Sequence, residues 1–256
     1  MWWRIILLII IITLLPSSVE YFQTTNVKNI EIPESHVDNL YDLTKYMHTF
    51  FIKHNIPYWL IGGSLIGSLR NTPPGPIKWD DDLDVAILKR DEDKFIKALE
   101  NDESFQKLVE WCPIFFGFQF KLKNKEKGYK DYYYDVFIYE ERDGKFGKKL
   151  YTGQDTDFFE KYYYNDLNEI FPLKKCKFWD LTLPCPNNLD TVHRGYDGNV
   201  LKFAQKYNHS TQNDDGDDVS DDSCNVEKID LTNQNINNGD TIPLLSKRLI
   251  KKLAFV

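Results

Sequence analysis

The chain has 256 residues, 42% of them apolar and 15% aromatic, enough to build one well-packed domain that needs neither a metal nor a disulfide to fold. Its formal charge of -7 is uneven: Asn213 to Asp230 holds eight acidic residues against Lys228, so the remainder is formally neutral. A neutral body lacks the basic surface by which duplex binders displace counterions, which speaks against a nucleic-acid partner and for small molecules or neutral glycans.

In "MWWRIILLIIIITLLPSSVE", Arg4 precedes an apolar run from Ile5 to Leu15 broken only by Thr13. Its eleven residues match the core of an export signal and fall short of the roughly 18 to 20 that cross a bilayer. Residues 1–20 are therefore expected to be a cleaved signal peptide or an N-terminal membrane anchor with Arg4 held inside, a buried helix being the plainer alternative. The next segment, "SHVDNLYDLTKYMHTFFIKHN", repeats Val37, Leu40, Leu43, Met47 and Phe50 at helical spacing behind a Ser35 cap, and Pro57 closes it. His48 and His54 lack ligand-spaced partners and read as ordinary histidines. "YWLI" predicts a strand running into Gly62-Gly63, and "SLIGSLR" a short helix capped by Ser64.

After the rigid loop "NTPPGP", Leu83 to Leu88 predicts a second strand, and "DEDKFIKALEND" a helix capped by Asp91. "FFGFQFKLK" and "YYYDVFIYE" read as strands, with Asp143-Gly144 turning a hairpin toward "KFGKKLY". The extended "CKFWDLTLPCP" follows, then short helical patterns around residues 188–196 and 199–207. Together these predict an α+β fold, a mixed β-sheet flanked by helices, over residues 34–210. No C-x-x-C pair marks a zinc site; Cys176 and Cys185 are either bridged or buried as free thiols. Residues 211–240, rich in Asp, Asn, Ser and Gly, cannot repay ordering entropy and are expected to be disordered. Residues 241–256 contain a basic amphipathic helix, expected to dock back onto the domain rather than onto a membrane.

The chemistry concentrates in "WDDDLDVAIL". Side chains two apart on a strand share a face, so Asp82 and Asp84 present paired carboxylates while Leu83 and Val85 face the core. Such a bracket suits Mg2+ or Mn2+, hard cations that take carboxylate, water and phosphate oxygens. Asp80 shares their parity, and Asp81 opposes it. Gly62, Gly63 and Ser64 offer backbone N–H groups at a helix start, where phosphate oxygens can approach. Arg70, at the far end of that helix, is either a phosphate clamp or a salt-bridge partner. Asp135 interrupts an aromatic strand, where a lone charge is costly, and is the expected third carboxylate, as metal ligand or as general base.

At "GGSLIGSLR", "IKWDDDLDVAI", "YYYDVFIY" and "EIFPLKKCKFWDLTLPCPNN" followed by Arg194-Gly195-Tyr196, the chain resembles the LicD family of the nucleotidyltransferase superfamily, over roughly Asp38 to Tyr207. That family includes bacterial phosphocholine transferases and, more distantly, fukutin and fukutin-related protein. The resemblance implies a nucleotidyltransferase-like sheet and metal-dependent transfer of a phospho-alcohol, of phosphocholine or ribitol-phosphate type, from a CDP-linked donor to a hydroxyl of a glycan or glycoconjugate acceptor. By the same resemblance Asp82 and Asp84 hold metal, with Asp135 as the third acidic position. Transfer of a nucleoside monophosphate, or binding without catalysis, are the alternatives. An exported N-terminus implies a lumen-facing or secreted site of action, with membrane association through residues 1–20 if they remain attached. Where relatives carry His-Gly-Gly after the arginine and Ile-Pro-Trp before the aspartates, this chain has Asn71, the proline loop and Ile77-Lys78-Trp79, a departure that bears on donor and acceptor identity.

Overall fold

A computed structural model describes residues 34–78, 80, 82–114, 116–123, 133–149, 163–196, 199–206, 227–230 and 247–253. The predicted N-terminal signal or anchor lies outside them. The first apolar stripe folds as α1 (Glu34–Lys53), burying Val37, Leu40, Leu43, Met47 and Phe50. It starts one residue ahead of Ser35 and ends at Lys53, before Pro57 is reached, with Asn55 just beyond at φ 51°, the left-handed stop that asparagine tolerates.

β1 (Trp59–Leu60) leads into α2 (Gly62–Arg70), and β2 (Asp82–Leu88) into a 3-10 turn, Lys89–Asp91, and α3 (Glu92–Asn101). The chain thus enters α3 already wound, so Asp91 has αR geometry and its side chain makes no cap bond, contrary to the sequence expectation. The break falls instead at Asp102, whose carboxylate accepts from the Phe105 amide at 3.2 Å and starts a separate α4 (Glu103–Leu108). The same carboxylate takes Lys53 at 2.7 Å and His54 at 2.9 Å, which gives His54 a structural partner at the end of α1.

The central sheet adds β3 (Val109–Ile114), β4 (Gly117–Leu122), β5 (Tyr133–Arg142), β6 (Lys145–Lys148) and β7 (Tyr163–Tyr164). Its order is β1-β2-β5-β4-β3, with β6 joining β5 to β7. β2 and β5 pair in parallel while the other described pairs are antiparallel, so the sheet is mixed, as predicted. Asp143 and Gly144 turn β5 into β6 with φ of 49° and 77°, the positive pair that a two-residue hairpin turn requires.

Alternation sorts the sheet into two faces. Leu83, Val85, Ile87, Tyr134, Val136 and Ile138 enter the larger core with α1, α3 and their aromatic rings. Ala86, Leu88, Phe137 and Tyr139 enter a smaller one with Trp59, Tyr164 and Ile170, the last of these on α5 (Leu167–Ile170). The fold is therefore α+β, a mixed sheet flanked by helices.

β8 (Lys174–Phe178) and β9 (Leu181–Cys185) form a separate hairpin closed by a Cys176–Cys185 disulfide, with Cα atoms 5.9 Å apart. The 3-10 turn Leu189–His193 follows, capped by Asn188. The helical pattern at 199–207 is not realised: β10 (Phe203–Lys206) is a strand pairing antiparallel with β11 (Glu227–Asp230). That pairing also gives part of the expected disordered stretch a defined backbone, because a partner strand some twenty residues upstream satisfies it, which composition does not register. The rest of 211–240 lies outside the described residues.

α6 (Lys247–Leu253) packs on α1: Leu249 is fully buried, Arg248 forks onto Asp42 at 3.0 and 3.1 Å, and Lys252 pairs with Asp180 at 2.5 Å. Among the described residues, no helix is long and apolar enough to cross a membrane.

Candidate functional site

The site grows out of strand register. In the parallel pair, Asp84 lies directly across from Asp135 and Asp82 from Tyr133, so three carboxylates share the sheet face that carries the smaller core. One oxygen from each of Asp82, Asp84 and Asp135 lies within 4.8 Å of the others. An octahedral Mg2+ holds adjacent oxygens about 3 Å apart and opposite ones about 4.2 Å, so the three carboxylates are near enough to close on a common ion by side-chain adjustment. The donor set is hard and anionic, and it fits Mg2+ or Mn2+. Asp82 and Asp84 are half-buried and Asp135 is 9% exposed, which makes mutual repulsion costly without a counter-charge.

The glycine turn stands against these carboxylates. Gly62 has φ +52°, and a Cβ there would meet Asp84 Oδ2 at 3.0 Å; a Cβ on Gly63 would meet Asp80 Oδ2 at 2.3 Å. The absent side chains thus admit carboxylates against the start of α2. The helix begins at Gly62, behind Ile61, rather than at Ser64, and its first turn has no side-chain cap. Ser64 is correspondingly not the cap that the sequence suggested. It is buried, and its Oγ accepts the Asp84 amide at 2.8 Å, tying α2 to the strand that carries the carboxylates. Asp84 is held from its other backbone atom too, its carbonyl accepting from the Ile61 amide at 3.2 Å.

Arg70 is at the opposite end of α2, about 12 Å of helix from Gly62, and donates to the Val200 carbonyl at 3.2 Å. Beyond it, the proline loop folds back on the helix: Asn71 Nδ2 donates to the carbonyls of Gly75 and Pro76 at 2.9 and 3.0 Å, and Trp179 N to that of Pro74 at 2.7 Å. Asn71 is therefore the internal tie of the loop in which this chain departs from its resembling family.

Residues assigned no site role from sequence complete the surroundings. Tyr196 Oη lies 3.8 Å from the position of a Cβ on Gly62. Tyr196 follows Arg194, whose guanidinium forks onto Glu169 at 2.6 and 2.7 Å and also donates to the Tyr163 carbonyl at 2.7 Å. Hydrogen bonds from Arg194 above all, with the Asn165 amide, hold the Glu169 carboxyl at a pKa of about 2 against the desolvation that would raise it. A small cavity of about 30 Å³, room for a water molecule, runs between Gly62, Tyr164, Thr191, Arg194 and Tyr196. Lys148 on β6 lies opposite Tyr139 and brings its ammonium 3.8 Å from the centre of the Phe137 ring. Burial pushes the pKa of Lys148 down, while attraction to Asp84, Asp82 and Asp135 pulls it up.

Residues 55–188, just over half of the chain, match the sequence model of the LicD/FKTN/FKRP nucleotidyltransferase domain. An uncharacterized protein of Rickettsia typhi is 33% identical over 171 residues, 66% of this chain and 49% of that protein. One from Rickettsia prowazekii is 30% identical over 172 residues, 66% of this chain and 58% of its own length. The chain thus spans 49% to 58% of these relatives. Among solved structures, ANT(2'')-Ia in complex with adenylyl-2''-tobramycin superposes at TM-score 0.35 with 11% identity, over 57% of this chain and 69% of that one. Lincomycin-bound lincosamide adenylyltransferase LnuA does so at 0.34 with 20% identity, over 65% and 89%. Likeness so slight transfers neither fold detail nor substrate. The match to the domain family, by contrast, runs from just after α1 to the residue that caps the Leu189–His193 turn, and so takes in the glycine turn and every member of the carboxylate cluster. The chain belongs to the LicD/FKTN/FKRP family of nucleotidyltransferase domains.

Proposed function

We propose that this chain is a metal-dependent phosphotransferase that moves a phospho-alcohol group, of phosphocholine or ribitol-phosphate type, from a CDP-linked donor to a glycan hydroxyl. The observation that carries the reading is the convergence of Asp82, Asp84 and Asp135 on one sheet face beside the open first turn of α2. Asp82, Asp84 and Asp135 would hold Mg2+ or Mn2+, which when bound supplies positive charge to the donor phosphates and to the departing CMP. The Gly62-Gly63 turn, at the positive end of a helix with no side-chain cap, would be the element that receives phosphate oxygens. Asp135, the most buried of the three, would alternatively serve as the base that takes the proton of an attacking hydroxyl. The Cys176–Cys185 disulfide supports action in an oxidising compartment, consistent with a lumen-facing or secreted protein, since bridges persist there.

The description of the matched family as a nucleotidyltransferase domain favours a second reading, transfer of the nucleoside monophosphate itself. Products separate the two: CMP released from CDP-alcohols supports the first, and pyrophosphate released from a nucleoside triphosphate the second. Calorimetry of CDP with Mg2+ tests the shared foundation. Binding is expected to require the metal and to be lost in Asp82→Ala and Asp84→Ala; metal-independent binding that both variants retain would overturn the proposed function.

A further inference from the structure

The register of the β5–β6 hairpin sends a lysine toward the carboxylates. Tyr139 pairs with Lys148, and directly paired residues share a face, so Lys148 emerges on the face that carries Asp135, Phe137 and Tyr139. Its side chain does not stay beside Tyr139. The ammonium lies 3.8 Å from the centre of the Phe137 ring and 5.5 Å from that of Phe116, so it has travelled one side-chain repeat along β5 toward Asp135. Asp135 is the next residue on the same face of β5 beyond Phe137, one strand repeat of about 7 Å along the backbone. The attraction of Asp84, Asp82 and Asp135 for this charge agrees with that placement. The aromatic pair beneath the ammonium lets it be partly desolvated without losing all favourable contact, because ring faces attract cations.

A half-buried lysine aimed at three carboxylates is needed as a counter-charge only while no divalent ion is there. Once two positive charges enter the cluster, Lys148 and the ion repel one another, and the lysine's best partner becomes the anion that the ion brings in. We infer that Lys148 is a donor-binding residue: it balances Asp82, Asp84 and Asp135 when no metal is bound and turns to a phosphate oxygen of a nucleoside diphosphate when one is. This rests on the metal-dependent reading proposed above. The arrangement makes metal and donor binding respond to Lys148 with opposite signs, which a lysine that merely packs on Phe137 would not do.

The test titrates the full chain and its Lys148→Met and Lys148→Arg variants with Mn2+ alone, then with CDP at saturating Mn2+, by calorimetry, with a thermal melt of each. In Lys148→Met, Mn2+ alone is expected to bind about threefold tighter or more, since a repelling charge is gone. CDP is expected to bind about tenfold weaker or more, and Lys148→Arg to restore most of that loss. Unchanged CDP affinity in Lys148→Met overturns the inference while leaving the metal site standing. So does a parallel loss of both affinities with a lowered melting temperature, which would make the lysine structural. If the wild-type chain binds neither Mn2+ nor CDP, the proposed function fails first and takes this inference with it.

Discussion

Replacing Glu169 by glutamine removes one charge from the fork that anchors Arg194, and with it the segment that carries Tyr196 to the glycine turn. The Glu169 carboxyl is held at about 2 against its ordinary 4.5, chiefly by Arg194. At about 1.4 kcal/mol per unit, the displacement corresponds to roughly 3 kcal/mol of folding stability. Screening reduces this little, because the two side chains are only 15% and 24% exposed. The folded-state value is depressed, so the contribution is complete above the unfolded value of 4.5 and is lost as pH falls toward 2. Protonated Glu169 resembles glutamine, so the stability gap between wild type and Glu169→Gln should be widest near neutrality and close as pH falls from about 5 to about 2. Urea unfolding of both proteins across that range measures it, and taking the difference cancels other titrating carboxylates such as Asp102, whose pKa Lys53, Ser104 and His54 also depress. A gap that stays constant from neutral to acid pH would refute the assignment of the fork as a stabilising ion pair.

Ser64→Ala leaves the Asp84 amide without its hydroxyl acceptor at 2.8 Å, and should cost about 1 to 3 kcal/mol in chemical denaturation while weakening Mn2+ binding, since Asp84 loses its tie to α2. Truncating the fully buried Leu249 to alanine should cost about 2 to 5 kcal/mol if α6 unfolds together with the domain. A much smaller change, with early hydrogen exchange confined to 247–253, would show that α6 detaches independently.

The carboxylate pair was readable in the chain because strand alternation is local: in "DLDVAIL", Leu83 and Val85 must be buried, and that alone turns Asp82 and Asp84 to the other face. Asp135 was readable from its cost, as a charge among aromatic neighbours. Lys148 was within reach of the same logic, since the Asp143-Gly144 turn fixes the hairpin register that places it opposite Tyr139. The path of its long side chain toward Asp135, however, depends on Phe116 and Phe137 lying beneath it. Ser64 was misread because its own segment looks like a cap followed by a helix. Gly62, at φ +52°, already starts that helix, and the hydroxyl answers to an amide twenty residues away.

The sequence by itself determined the elements whose cause is local: the amphipathic α1, the alternation of β2 and β5, the positive-φ turn between β5 and β6, and with them the chemistry on offer. Tertiary structure alone decided that β2 lies parallel to β5 with Asp84 abreast of Asp135, that Glu169 holds Arg194 and so brings Tyr196 to Gly62, and that β11 returns to β10. The physical reason is that these depend on pairings between residues from about 20 to more than 100 positions apart, whose free energy lies in register and mutual burial and leaves no period in the chain.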